Sequence, residues 1–478
     1  MMAAMRRFLR TTTLIDPIMA VLGVSLLHVA LYLFGAVGSP VYNIHFHPLA
    51  KLPGPKVRAA FYFPHNFELV AGRIVHNWHA LHEKYGEVVR VSPTWVSIIN
   101  PDAWRASNDA DHARIRRCMN HAFSDQALRG QEPTISSYIT LLISKLQNKA
   151  RSDTPVDIMR YINFTTFDIL GDLCFGESFG ALESEEYNEW MATLFKGVKL
   201  VPFVRLFKQY PIIGLPFWIL TKLFPQIMAA RVKHDNYTVE KTAKRLESKT
   251  DRKDFMSYIL RHNDEKGMTR EEIMRTSGVV IIAGSETSAT LLSGAVYYLL
   301  ANPTWLERAR EELDSAFKTE SEMTFSSLGQ LKVLNAILTE TFRMYPPVPV
   351  ILPRATVEEG KMVCGIFIPK GTTIGVTSYA ASRSSYNFKH PDVFAPQRHL
   401  DDPEFKDDNR SVIQPFSVGP RNCIGQTMAW LELRAILAKL LWHFDIELME
   451  ESRRWDEHKV FVLWDKPALM VKLKERKH

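Results

Sequence analysis

Near the carboxyl end, Phe416-Ser-Val-Gly419-Pro-Arg421-Asn-Cys423-Ile-Gly425 sets a cysteine between two glycines, just ahead of an apolar helical run, Met428–Phe444. A helix N-terminus offers free N–H groups and the positive end of a dipole, and both stabilise a thiolate. Glycines lack a Cβ, so the backbone can lie close against a flat ligand. The loop therefore reads as one that presents a single soft anion. The other cysteines, Cys118, Cys174 and Cys364, make no CxxC pair with it or with each other. That pattern argues against a zinc cluster and against a disulfide scaffold.

A second group stands upstream. Thr269-Arg-Glu-Glu272 is a capping box, and the pattern it opens runs without proline to Asn302, where Pro303 ends it. The spacing predicts a helix of about 33 residues, on the order of 50 Å long, a spine for a large domain. At its middle stands Ala283-Gly284-Ser-Glu286-Thr287-Ser288, with Val279 to Ile282 before it and Leu291 and Leu292 after. A carboxylate and a hydroxyl inside such an apolar run are costly unless they are used. Further on, Glu340-Thr-Phe-Arg343 puts an acid and a guanidinium on one face of a helix that begins near Leu331 and stops at Pro346-Pro347. His112 and Arg116, in Asp111-His112-Ala-Arg-Ile-Arg116-Arg117, stand one turn apart, and Arg354 follows the Glu340 helix. Arginines of this kind orient a carboxylate edge well.

These motifs resemble the cytochrome P450 superfamily. Its cysteine loop reads Phe-x-x-Gly-x-Arg-x-Cys-x-Gly, and its oxygen-activating helix reads Ala/Gly-Gly-x-Asp/Glu-Thr-Thr/Ser. The resemblance implies that Cys423 is the proximal ligand of the iron of haem b, whose O–O cleavage a thiolate favours. It implies that Phe416 packs beside the sulfur, that Gly425 lets the loop close on the porphyrin, and that Arg421, His112, Arg116 and Arg354 hold the propionates. Thr287 is expected to hydrogen-bond dioxygen at the iron, with Glu286 relaying protons and Gly284 loosening the helix to make room. Glu340, Arg343 and Arg398 are expected to form a buried triad that holds the loop. Around Arg398 the family usually has Glu before and an aromatic after; here stand Gln397 and His399.

The phrase Val41–Pro55 and the stretch around His112 are similar to filamentous-fungal secondary-metabolism members of the isotrichodermin hydroxylase type. The implied activity is a haem-dependent monooxygenase that takes electrons from an NADPH-dependent cytochrome reductase. It would hydroxylate or epoxidise a lipophilic metabolite of terpenoid or polyketide type. Two rivals stand beside it. One is a haem-thiolate isomerase or dehydratase, although such enzymes often lack the acid–alcohol pair. The other is a non-catalytic membrane protein. Its motive is the short connection Arg105–Ala110 between Asn100-Pro-Asp-Ala-Trp104 and the His112 helix. In the family a longer segment there roofs the substrate pocket, and its loss opens the site to water.

The elements that must carry these groups follow from composition and periodicity. The 478 residues are 46% apolar and 23% charged, proportions of a folded globule rather than of long disorder. A net charge of +7 gives no reason to expect nucleic acid and suits a membrane surface or an acidic protein partner. Residues 17–37 contain no Lys, Arg, Asp or Glu, a stretch about 31 Å long as a helix and enough to span a bilayer. Arg6, Arg7 and Arg10 before it balance Lys51, Lys56 and Arg58 after it, so charge leaves the orientation open. The family habit is the endoplasmic reticulum with the catalytic domain facing the cytosol. Glycan on Asn163, Asn236 or Asn409 would contradict that topology.

The expected organisation is a membrane anchor over 1–44, a proline-rich linker over 45–60, and one haem-binding domain over 61–478. That domain is expected to be mainly α with a small β region, the cytochrome P450 fold. Helical spacing covers Gly72–Tyr85, Asp111–Phe123, Pro133–Ala150, Tyr161–Cys174 and Glu185–Leu200. Alternation marks strands at Val88–Val91, Val96–Ile99 and within Lys361–Thr377, with a turn at Pro369-Lys-Gly371. No βαβ rhythm is present. Leu200–Phe224 carries three prolines, which forbid one continuous helix; it reads as core or as an apolar lid dipping into a membrane. The pocket lining is expected from that stretch, Ile281–Ala283, Val348–Leu352 and Val460–Leu463. Arg114 and Arg117 are expected on an exposed basic face that could receive an acidic electron donor.

Overall fold

The computed structural model describes residues 38–101, 103, 110–187, 189–223, 226–248, 252–261, 263–264, 267–356 and 359–478. The apolar span at 17–37, the 104–109 connection and Phe224 lie outside the described residues. The helices that bear on the site are α1 (Phe63–Ala71), α2 (Ile74–Tyr85), α3 (Ala110–Asn120), α4 (Asp125–Arg151), α5 (Ile158–Phe175), α6 (Glu189–Gln209), α7 (Pro211–Leu223), α8 (Gln226–Glu247), α9 (Arg270–Ala301), α10 (Pro303–Ala316), α11 (Lys332–Met344) and α12 (Gln426–His443). The domain is mostly helical with small sheets.

Helix α9 is the spine. The Thr269 hydroxyl accepts the Glu272 N–H at 3.2 Å and Glu272 Oε2 accepts the Thr269 N–H at 2.8 Å, so both halves of the capping box form. Its apolar stretch is long enough to cross a membrane, but 67% of that stretch is buried inside the protein. It is a core helix, packed on α5, α8, α11 and α12. Gly284 faces α5: a Cβ there would come within 2.6 Å of Leu170 Cδ1. The glycine thus permits close helix packing, and α9 runs through it without a break. The expected loosening of the helix is not seen at this glycine.

Strands β1 (Val88–Ser92), β2 (Trp95–Ile98), β3 (Val156–Asp157), β4 (Arg354–Ala355), β5 (Lys361–Val363), β6 (Ile366–Ile368), β7 (Thr373–Val376), β8 (Phe444–Leu448) and β9 (Met470–Glu475) form three small sheets, ordered β1-β2-β7-β4, β3-β9-β8 and β5-β6. β2 and β7 are parallel, with Trp95 opposite Thr373; the other ladders are antiparallel. Gly371, at φ +78°, supplies the left-handed residue that the turn into β7 needs. Val96, Ile98, Ile374 and Val376 make a second core beside the main helical one.

The 45–60 stretch is not a free connector. Leu49 is buried in the sheet core, and the Pro53 carbonyl accepts the Arg90 N–H at 2.8 Å. Buried Arg90 also donates to the Asn43 carbonyl at 2.7 Å, and Lys56–Ala60 forms a short helix. Burying Arg90 requires acceptors, and the Asn43 and Pro93 carbonyls supply them to its guanidinium.

Prolines moved several boundaries. Ser124 caps α4, its hydroxyl accepting the Ala127 N–H at 3.3 Å, so the helix begins eight residues before Pro133 and carries that proline inside. Pro202 and Pro216 likewise lie within α6 and α7; the break comes only at Tyr210. Leu200, Val201, Leu215, Ile219 and Leu220 are exposed on these two helices, so this face is not core. The expected basic face on α3 is exposed at Arg117, while both of its arginines are paired with carboxylates. Arg114 pairs with Glu272 at 2.6 Å, and Arg117 pairs with Asp264 through both guanidinium nitrogens, at 2.9 and 3.0 Å. Both charges are already engaged by neighbouring carboxylates.

Candidate functional site

The cysteine loop is fastened at both ends. The Phe416 carbonyl accepts the Cys423 N–H at 2.7 Å, and Ser417 (φ +58°) and Gly419 (φ +77°) take the left-handed turns that fold the chain back. Arg116, reaching from α3, donates to the Asn422 carbonyl at 2.5 Å and to Pro420 at 3.4 Å. Helix α12 starts directly after Gly425. A Cβ on Gly425 would lie 3.9 Å from both Cys423 Sγ and the Phe123 ring, so a longer side chain would crowd the sulfur. The Phe416 ring packs on Phe342 at 5.3 Å and on Trp430 at 6.3 Å.

Cys423 reaches solvent, yet the walls around it are close enough that burial raises its thiol above the usual range. The Gly425 N–H and the Arg116 guanidinium pull the other way and favour the thiolate. Arg354 is half-buried; burial and the nearby Arg421 guanidinium both lower its proton affinity. Two guanidiniums this close make a place for an anion. His112 lies on α3, but its side chain is outside the described residues.

Beneath the loop sits a fully buried ionic cluster. Glu340 accepts from Arg343 at 3.0 and 2.8 Å, from Arg398 at 3.3 Å and from the Ala395 N–H at 2.9 Å. His399 contacts its other oxygen at 3.1 Å. Arg343 also caps the carbonyls of Ser382, Pro391 and Val393, and Arg398 pairs with Asp408. Burial alone would raise the Glu340 carboxyl; the Arg343 charge and the bonds from His399 and Arg343 outweigh it and hold it at about 2. The departure at His399 is thus absorbed, because the imidazole supplies a further donor to the same carboxylate.

On α9, Val279, Ala283 and Thr287 recur at i, i+4 and i+8 on a face the protein leaves uncovered, with Val279 65% exposed. Thr287 donates back to the Ala283 carbonyl at 2.6 Å. Glu286 turns aside: it is buried and ion-paired with Lys466, which also donates to Thr290 at 2.6 Å. The acid and the alcohol are therefore neighbours in sequence with separate partners.

Sequence reasoning missed two buried titratable groups packed against α9, Lys466 and Glu432. Lys466 had no local pattern to betray it. Glu432 did, since it interrupts the apolar run of α12 as Glu286 interrupts that of α9. It accepts from Ser288 at 3.3 Å, and full burial pushes its carboxyl up to about 8.

These residues fit a haem. Among the described residues no group of three His, Cys, Asp or Glu could hold a bare metal ion. A lone thiolate suits a metal that brings its own ligand frame. The uncovered apolar stripe suits a flat ring, and the arginines suit its carboxylates.

The cytochrome P450 family model matches residues 99–473. The chain is 41% identical to cytochrome P450 monooxygenase astA of Talaromyces wortmannii, over 91% of this chain and 94% of that protein. It is 39% identical to averantin hydroxylase of Dothistroma septosporum, covering 91% and 88% respectively. It is also 39% identical to cytochrome P450 monooxygenase atr2 of Stereocaulon alpinum, covering 90% and 92%.

Proposed function

Because the chain belongs to the cytochrome P450 family, and is thus an oxidoreductase of monooxygenase type, we propose that it hydroxylates or epoxidises a lipophilic secondary metabolite of terpenoid or polyketide class. Electrons come from an NADPH-dependent cytochrome reductase, and the cofactor is haem b. When bound, haem iron supplies the activation of dioxygen for insertion of one oxygen atom. Cys423 ligates it. Phe416 and Gly425 shape the pocket of the sulfur. Arg116, Arg354, Arg421 and His112 hold its carboxylates. Arg116 then serves two purposes, since it already braces the loop through Asn422. The Glu340–Arg343–Arg398 cluster keeps that loop in register.

On the other side, the Thr287 hydroxyl, which otherwise rests on the Ala283 carbonyl, turns its proton toward the oxygen site, and Glu286 resupplies it. The presence of both favours oxygenation over isomerisation without external electrons. The observation that carries the reading is the fastened loop. It offers one thiolate at a helix start, supported by the Gly425 N–H and Arg116.

The catalytic domain sits on the endoplasmic reticulum membrane, facing the cytosol. Phe46, Phe63 and Phe67 are strongly exposed, as are Leu215 and Ile219 on α7. α1 is tied to α6 by an Asn66–Gln209 bond of 2.8 Å, which puts both apolar sets on connected elements. Such a patch suits a lipid surface. Asn163 is buried within α5 and bonded to Tyr187, so a glycan there is incompatible with the fold.

The test is turnover of a panel of terpenoids and polyketides, averantin included, by membranes carrying the chain and a reductase. The expected product carries one atom from labelled dioxygen and forms only with NADPH. Product formed without oxygen or NADPH would overturn the monooxygenase reading in favour of isomerisation.

A further inference from the structure

Where α1 meets α6 stands a cation without an anion. Arg205, on α6, is partly buried, and its guanidinium lies over the Trp95 ring with Cζ 4.6 Å from the centroid. Among the described residues it makes no hydrogen bond and no ion pair; burial lowers its proton affinity, and no carboxylate opposes that. The one acid of α1, Glu68, is already engaged by Arg58. His65, on the buried side of α1, packs on the same Trp95 at 5.2 Å, and neither of its ring nitrogens has a partner. Burial first, then the Arg205 and Arg58 charges, lower that imidazole to about 3, so it stays neutral. A partly buried charge left unpaired is costly, and this one has no counter-charge among the described residues.

The arginine is held in place from both sides. Gln209 stands one turn further along α6 and accepts from Asn66 of α1 at 2.8 Å. Trp95 covers one flat face of the guanidinium, which leaves the N–H groups of its edge open, and that edge suits two oxygens of a phosphate. The surface around it is apolar. Phe63 and Phe67 on α1 stack at 6.0 Å and are exposed, as are Leu200, Val201 and Phe203 on α6. Lys208 adds an exposed cation one turn beyond Arg205. The cavity of about 210 Å³ that Ile282, Phe461 and Leu463 line does not include Arg205, so a molecule lodged there does not supply the anion. Exposed rings are covered by hydrocarbon and a guanidinium is satisfied by an anion; a phospholipid brings both in one molecule.

We propose that Arg205 is the seat of the phosphate of an anionic phospholipid, whose acyl chains lie on Phe63 and Phe67 and whose net charge Lys208 also attracts. The lipid supplies the missing counter-charge and ties the junction of α1 and α6 to the leaflet. This rests on the reading that these helices meet a membrane, and deepens it by naming the lipid class the face selects and the residue that selects it.

The test takes the full-length holoenzyme in non-ionic detergent and measures, by native mass spectrometry, its retention of dioctanoyl phosphatidylglycerol against dioctanoyl phosphatidylcholine. The wild type should hold the anionic lipid about fivefold more tightly, the worth of one basic residue at an anionic surface. Arg205→Gln should lose that preference. Lys222→Gln, which removes an exposed charge from α7, should leave it intact. A wild type without the preference, an Arg205→Gln variant that keeps it, or a Lys222→Gln variant that loses it equally overturns the proposal. Should Arg205→Gln not fold, the wild-type lipid pair and Lys222→Gln still decide the matter. Inorganic phosphate that displaces phosphatidylglycerol at equal concentration, where chloride of matched ionic strength does not, would mark a soluble-phosphate site and overturn the lipid assignment.

Hydroxyl-radical footprinting in phosphatidylcholine nanodiscs tests the membrane face by itself. Phe63 and Phe67 should be shielded there. Shielded rings with no phosphatidylglycerol preference overturn the headgroup seat alone. Rings labelled as freely as exposed Tyr386 overturn the membrane-face reading and the seat with it.

Discussion

Glu432 holds a carboxyl against α9, 2% exposed, with one long hydrogen bond from Ser288. Its folded value of about 8 lies far above the unfolded 4.5. Between those values the folded protein keeps a proton that the unfolded chain releases, so stability must fall as pH rises through that window. Working the two values through the linkage relation gives a loss on the order of 3–4 kcal/mol from this one group between pH 5 and pH 8. Glu432→Gln keeps the shape and removes the charge. Urea unfolding of the holoprotein at unit steps across that range should show the variant gaining on the wild type by about that amount. Curves that stay parallel within about 0.5 kcal/mol, the spread expected of unrelated surface changes, would refute the argument.

Gly284→Ala should lower stability by about 1–3 kcal/mol, because its methyl meets Leu170 at 2.6 Å. Adding Leu170→Ala should recover part of that loss, and an unaffected single variant would contradict the packing role. Glu340→Gln should cost about 3–5 kcal/mol by leaving Arg343 and Arg398 buried without their shared charge, and should speed haem loss. Its carboxyl is depressed to about 2, so that stabilisation is full above the unfolded 4.5 and disappears as pH falls through about 2. Acid unfolding of wild type and variant should therefore converge only in that window. Thr287→Ala should load haem normally but release its reducing equivalents as hydrogen peroxide. Full coupling of NADPH to product in this variant would remove Thr287 from proton delivery.

What could be read in advance was what local chemistry determines. The Thr269 capping box marked the start of α9 because both of its bonds close within four residues. The Glu340–Arg343 pair was legible because i,i+3 spacing is local, and Arg398 came only through resemblance. Tertiary partners were not legible. Lys466 lies 180 residues from Glu286 in the chain, and nothing near it signals a buried lysine. Arg114 and Arg117 looked free because their carboxylates, Glu272 and Asp264, sit on another part of the chain. The packing of Gly284 is tertiary in the same way, since only the approach of Leu170 Cδ1 reveals that a Cβ there needs a neighbour to shift. Pro133, Pro202 and Pro216 each lie inside a helix rather than at its boundary, which local proline chemistry alone does not predict.

The assignment of Cys423 as the sole protein ligand of haem iron is tested most directly by the absorption spectrum of the reduced, carbon monoxide-bound protein. A thiolate ligand should move the Soret band far to the red in the wild type, and Cys423→Ala should abolish that shift. A haem-loaded wild type without the red-shifted band, or a Cys423→Ala variant that keeps it, would contradict the account.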